Sequence, residues 1–115
     1  MSNKIFQMSS AKVYQCLLDK VEKKGKTKEE LDTLVTWLTG YDEAALEQTL
    51  SDDPDYATFF EQAPAMNPKR DLIKGVVCGV RVEDVEDPMM RDIRYLDKLV
   101  DELARGKKIE NIIRG

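Results

Sequence analysis

Apolar residues recur at helical spacing through most of the chain, and the polar residues between them carry start and stop signals. Val13, Tyr14, Leu17, Leu18 and Val21 form the stripe of a first helix, capped by Ser9 or Ser10 and ended by Gly25. Leu31, Leu34, Val35 and Leu38 form a second stripe. Thr27 stands three residues before Glu30, the spacing of a capping box, in which each side chain satisfies the other residue's free backbone N–H. Gly40 ends that helix, and Asp42 caps a short one through Ala45, Leu46 and Leu50. Three further starts pair a capping residue with a proline at the first helical position: Asp53-Pro54, Asn67-Pro68 and Asp87-Pro88. The first leads to Phe59 and Phe60, which are core candidates. The last opens the longest stripe, Met89, Ile93, Leu96, Leu99, Val100 and Leu103, ended by Gly106. Ile109, Ile112 and Ile113 predict a final short helix from Lys108 to Arg114. The expected fold is all-α: a single domain over residues 1–115, a compact bundle of five to seven helices built around the helix from Pro88 to Arg105.

The stretch "LIKGVVCGVRVEDVEDPMM", from Leu72 to Met90, resists this pattern. Leu72, Ile73, Val76, Val77 and Val80 fit one helix face, yet valine and glycine are poor helix formers and Val80-Arg81-Val82 alternates like a strand. The Asn67-Pro68 start favours a helix to about Cys78, followed by an extended segment to Asp87. Gly75 and Gly79 then read as packing positions for close backbone approach to the Pro88–Arg105 helix, with Cys78 a packing residue rather than a nucleophile.

Length supports a single core without staples: at 115 residues a domain buries roughly 65% of its unfolded surface. The two cysteines, Cys16 and Cys78, lie in apolar segments, which suits buried free thiols of a reducing compartment. No apolar run approaches the ~20 residues of a membrane span, and the N-terminus lacks the apolar core of a signal peptide, so a cytoplasmic protein is expected. The absence of histidine excludes Ser-His-Asp and Cys-His catalysis and His-containing zinc sites.

Charge is unevenly spread. Residues 1–28 carry seven lysines against Asp19 and Glu22, residues 29–66 carry ten acids and no base, and residues 67–115 are nearly balanced, for a net charge of −4. A basic first helix beside an acidic middle predicts attraction within the fold or between subunits. The helix pair around "GYD" has helix-turn-helix spacing, but its second member reads EAALEQTL, without a base to meet phosphate, so specific duplex DNA binding is not expected. Lys20, Lys23, Lys24, Lys26 and Lys28 remain as a candidate patch for weak nucleic-acid binding, against the simpler reading of a solvated helix end. Glu83, Asp84, Glu86 and Asp87 match no calcium loop and read as acids near a helix N-terminus, so no metal and no cofactor is expected. No phosphate-binding glycine loop is present.

"KTKEELDTLVTWLTGYDEAAL", "FFEQAPAMNP" and the segment from Leu72 through Lys107 resemble a small bacterial family catalogued as domain of unknown function 2200, over nearly the whole chain. The resemblance implies a bacterial cytoplasmic protein and supplies no catalytic residues. The leading functional expectation is a non-enzymatic protein-interaction or regulatory module. Its partner is another protein or a second copy of the chain, because the last long stripe (Met89, Met90, Ile93, Tyr95, Leu96, Leu99, Val100 and Leu103) is broader than one face requires. The alternative is a small-ligand-binding or enzyme module using carboxylate, Tyr and Arg groups in a helical groove. Trp37 and Tyr41, four apart across a helix end, together with Arg81, are the candidate lining residues, with core packing the competing reading of the two aromatics. A concave pocket with convergent polar groups would favour the ligand reading; an exposed apolar patch would favour the interaction reading.

Overall fold

A computed structural model describes residues 4–77 and 79–113. Among the described residues, six α-helices carry the fold: α1 (Ser10–Glu22), α2 (Lys28–Thr39), α3 (Glu43–Asp52), α4 (Tyr56–Glu61), α5 (Pro88–Ala104) and α6 (Ile109–Ile112). Short 3₁₀ turns cover Lys4–Gln7, Pro68–Leu72 and Val82–Asp84. The chain is therefore mostly helical, as its periodicity predicts.

Most helix ends follow the local rules. Ser9 caps α1 by accepting a hydrogen bond from Lys12 N at 3.2 Å. The capping box forms: Thr27 Oγ1 accepts from Glu30 N at 3.2 Å and Glu30 Oε1 from Thr27 N at 3.1 Å. Asp42 caps α3 and Asp87 caps α5. Gly40 closes α2 in the left-handed conformation, φ 80°.

The helix α5 is the axis of the core. Ile93, Tyr95, Leu96, Leu99, Val100, Leu103 and Ala104 are all buried on it. They meet Val13 and Val21 of α1, Leu31, Leu34, Val35 and Leu38 of α2, and the aromatic residues of α4 in one hydrophobic cluster. Most of the broad stripe that suggested a second chain is buried within this one, because helices pack on several sides of α5, while Met89 and Met90 at its start are half-buried.

Three expectations are corrected. The helix expected from Pro68 to about Cys78 does not form: five residues of 3₁₀ turn end at Leu72, and Val76–Val77 (β1) pairs antiparallel with Val80–Arg81 (β2) in a small hairpin. Both glycines have positive φ, 115° at Gly75 and 76° at Gly79, which glycine adopts without the clash a Cβ would suffer. Gly75 lies against the Lys98 side chain of α5, whereas nothing lies within 4 Å of the place where a Cβ of Gly79 would project. Cys78 falls outside the described residues. The second correction concerns Cys16, which is exposed rather than buried, since it lies off the Val13–Leu17–Val21 stripe. The third concerns Asp53, which does not start α4. It ends α3 with φ 51°, and Asp55 caps α4 instead, accepting from Thr58 N at 2.9 Å.

Asp53 has a different task. Its carboxylate accepts hydrogen bonds from Ser9 Oγ at 2.7 Å and Ala11 N at 3.1 Å, at the positive end of α1. Pro54 O accepts from Ser10 N and Ser10 Oγ, and Tyr56 N donates to Met8 O. These bonds clasp the segment before α1 to the α3–α4 connection, 40 or more residues away in the chain.

A charged cleft where two proline-led turns meet

Two turns built by the same local rule converge on the surface. In "NPKRD", Asn67 Oδ1 accepts from Lys69 N at 2.9 Å and Pro68 takes the first helical position. In "DPMMRD", Asp87 Oδ1 accepts from Met89 N at 2.9 Å and Pro88 takes that position. The first turn is docked on the end of α2 by Asn67 N donating to Leu38 O (2.8 Å) and Asn67 Nδ2 donating to Trp37 O (3.2 Å). It is anchored in the core by Ile73, which is fully buried. Between the turns lies a cleft of about 330 Å³, lined by Pro68, Arg70, Asp71, Pro88, Arg91, Asp92 and Tyr95.

The two arginines are held in place. Arg70 Nε donates to Asp92 Oδ1 at 3.0 Å and its Nη1 to Asn67 O at 2.9 Å. Arg91 Nε donates to Val85 O at 2.7 Å and its Nη2 to Glu86 O at 3.3 Å. A guanidinium offers five N–H donors in a rigid fork, and these bonds engage neither Arg70 Nη2 nor Arg91 Nη1. Asp92 sits beside both cations. Burial nevertheless pushes its carboxyl above the ordinary 3.8, the two guanidiniums offsetting only part of the desolvation. Asp71 is exposed on the rim, and Tyr95 is buried in the wall.

The residues singled out from sequence lie elsewhere. Trp37 is half-buried on α2 and packs against the core cluster. Tyr41 is buried within it, its ring 5.1 Å from that of Phe59 and its hydroxyl donating to Phe59 O at 2.7 Å. Arg81 is exposed on β2 and reaches Asp84 at 3.9 Å. None of the three lines the cleft. The acids from Glu83 to Asp87 are dispersed in role: Glu83 Oε1 accepts from Gly75 N, Asp84 faces Arg81, and Asp87 caps α5.

Two other polar features are internal. Tyr14 donates to the buried Asp32, which also accepts from Lys28 Nζ at 2.7 Å. The Asp32 bond raises the lysine above its usual range, and burial followed by the same carboxylate raises the tyrosine. This triad ties α1 to α2 and is committed to its own members. A void of about 10 Å³ lies among Tyr14, Leu17, Val35, Tyr56, Phe59 and Leu96. It is at the lower limit for one water and is lined almost wholly by apolar atoms, so it offers no ligand chemistry.

A family profile described as "Uncharacterized protein conserved in bacteria (DUF2200)" matches residues 4–114. The chain belongs to that family. No curated protein matches it. The fold of this family member is similar to the "Crystal structure of uncharacterized protein SP1917", with a TM-score of 0.92 and 46% sequence identity, over 97% of this chain and 92% of that one. Among the described residues, no helix is long and apolar enough to cross a membrane.

Proposed function

We propose that this DUF2200 protein is a small-ligand-binding module whose site is the cleft between the Pro68–Leu72 turn and the start of α5. The observation that carries this reading is the convergence of Arg70, Arg91, Asp71, Asp92 and Tyr95 on one concavity of about 330 Å³. That volume falls at the small end of ligand sites, and a few placed polar groups between apolar walls are what such sites use for orientation. Arginines fixed by backbone carbonyls and by a carboxylate lose less conformational entropy on binding than free ones. The exposed large hydrophobics among the described residues are Met8, Leu72 and Val76, and the α5 stripe from Ile93 to Leu103 is internal, so support for a protein-docking face is thinner.

A screen of small charged metabolites against the ¹H–¹⁵N spectrum of the full chain tests the reading. Saturable shifts are expected at residues 68–71 and 88–95, weakened in Arg70→Gln and Arg91→Gln. Saturable binding that maps to another surface, or that both variants leave untouched, would overturn it.

A further inference from the structure

We propose that the cleft is shaped for a zwitterion, a free α-amino acid whose carboxylate meets Arg70 and Arg91 and whose ammonium meets Asp71 and Asp92. The inference rests on reading the cleft as a ligand site and names its ligand class. Its basis is the balance of charge in the lining: two guanidiniums and two carboxylates around one small volume. A simple anion placed there gains two cations but faces two carboxylates. A simple cation has the converse difficulty. A ligand carrying both charges a few bonds apart satisfies both pairs at once.

The bonding leaves room for this. Arg70 Nη2 and Arg91 Nη1 are outside the internal bonds described above, so a carboxylate adds to the arrangement without breaking it. Asp92 uses Oδ1 for Arg70, and Asp71 takes part in none of the ion pairs described for the chain. The raised Asp92 carboxyl indicates that Arg70 and Arg91 do not fully offset its burial, so a further cation beside it is favourable. Pro68, Pro88 and the ring of Tyr95 give apolar walls for the ligand's side chain.

The test uses the full chain and ¹H–¹⁵N spectra, with each common α-amino acid added singly to about 10 mM, above the millimolar Kd of a weak site. For the tightest, the carboxylate-only and ammonium-only counterparts follow; for leucine these are 4-methylpentanoate and isoamylamine. Inorganic phosphate is the last arm. The expected result is saturable binding at residues 68–71 and 88–95, at least about tenfold weaker for either half-molecule, as loss of a charged hydrogen bond implies. Asp71→Asn, a near-isosteric change at an exposed residue, should weaken the amino acid and not 4-methylpentanoate. If 4-methylpentanoate, isoamylamine or phosphate binds the cleft as tightly as any amino acid, the zwitterion inference fails and the ligand site stands. If no probe shifts the cleft in the folded protein, the inference fails, and the metabolite screen separately decides the ligand site.

Discussion

Two glycines with the same left-handed backbone make opposite demands on their surroundings. At Gly40 a Cβ would lie 2.8 Å from both the N and the O of Ala65, whereas at Gly79 it would project into open space. Gly79→Ala is therefore expected to cost only the conformational penalty, about 1–2 kcal/mol. Gly40→Ala adds a backbone clash and should cost clearly more, by a further ~1–3 kcal/mol. Urea unfolding of both variants checks this, and equal losses would mean that the Ala65 backbone yields freely. A second residue-scale test concerns Tyr56, whose hydroxyl is buried without a protein hydrogen-bond partner. Tyr56→Phe removes a desolvated group and no bond, so stability should be unchanged or rise, by up to about 1–3 kcal/mol. A clear loss would reveal a bound water. Asp97 supplies a pH dependence. Burial raises its carboxyl above 3.8, with Arg94 and Lys20 pulling the other way. Its folded pKa thus exceeds its unfolded one, so its favourable contribution is present below the unfolded value and is lost as pH rises through the folded value. The stability of the wild type relative to Asp97→Asn should fall as pH rises from about 4. Denaturant midpoints measured at several pH values would show a flat difference if Asp97 were as well solvated folded as unfolded.

At the scale of elements, what was legible in the sequence was what is local. A capping box, a proline start or a terminal glycine is decided within a few residues, and Ser9, Thr27, Gly40, Asp42, Asn67 and Asp87 all act where spacing places them. The hairpin was not legible. Its apolar residues fit two periods at once, and the bonds that hold it are not written in that periodicity: Val82 N donates to Gly75 O across the hairpin, and Lys98 Nζ of α5 donates to Val76 O. Nor was the role of Asp53, whose partners Ser9 and Ala11 are remote in sequence. Its Asp-Pro signature reads as a helix start, yet its carboxylate serves another helix. That dual duty predicts an order of stabilities. Asp53→Asn keeps tolerance of the left-handed backbone and part of the cap, Asp53→Gly keeps only the backbone, and Asp53→Ala keeps neither. Thermal melts should rank wild type above Asn, then Gly, then Ala. Alanine at or above glycine would show that the φ of 51° costs nothing. The candidate site failed to emerge from sequence for the same reason as the clasp. Trp37 and Tyr41 attract notice as aromatics, but Tyr41 is core. The usable signal was a repeated order of residues, cap-Pro followed one or two residues later by Arg-Asp, in "NPKRD" and "DPMMRD". Nothing local states that the two copies meet.

Across the whole molecule, the uneven charge of the sequence resolves into short-range pairings rather than one basic face against one acidic face. Lys28 bonds Asp32 within α2, Lys20 reaches Asp101 of α5 at 3.6 Å, and Asp53 meets the N-terminus of α1. The lysine run thus gives two of its members to internal acids, leaving Lys23 and Lys24 exposed beside Glu22 and Lys26 half-buried. The other half of the argument about nucleic acids lies in α3. Its first turn is acidic, it contains no base, and its N-terminal end is capped by Asp42. A recognition helix enters the major groove between two phosphate rows, where such a helix is repelled rather than steered. The net charge of −4 adds a long-range term of the same sign. Specific duplex DNA binding is accordingly not expected. Fluorescence anisotropy at about 150 mM salt should give no affinity tighter than the 10⁻⁴–10⁻⁶ M range of non-specific binders. Whatever weak binding the exposed lysines support should fade as salt is raised and be indifferent to sequence, because phosphate contacts carry no base information. Sub-micromolar, sequence-dependent binding would require a basic surface that neither the residues of α3 nor the paired lysines of α1 and α2 provide, and would overturn this reading of the charge.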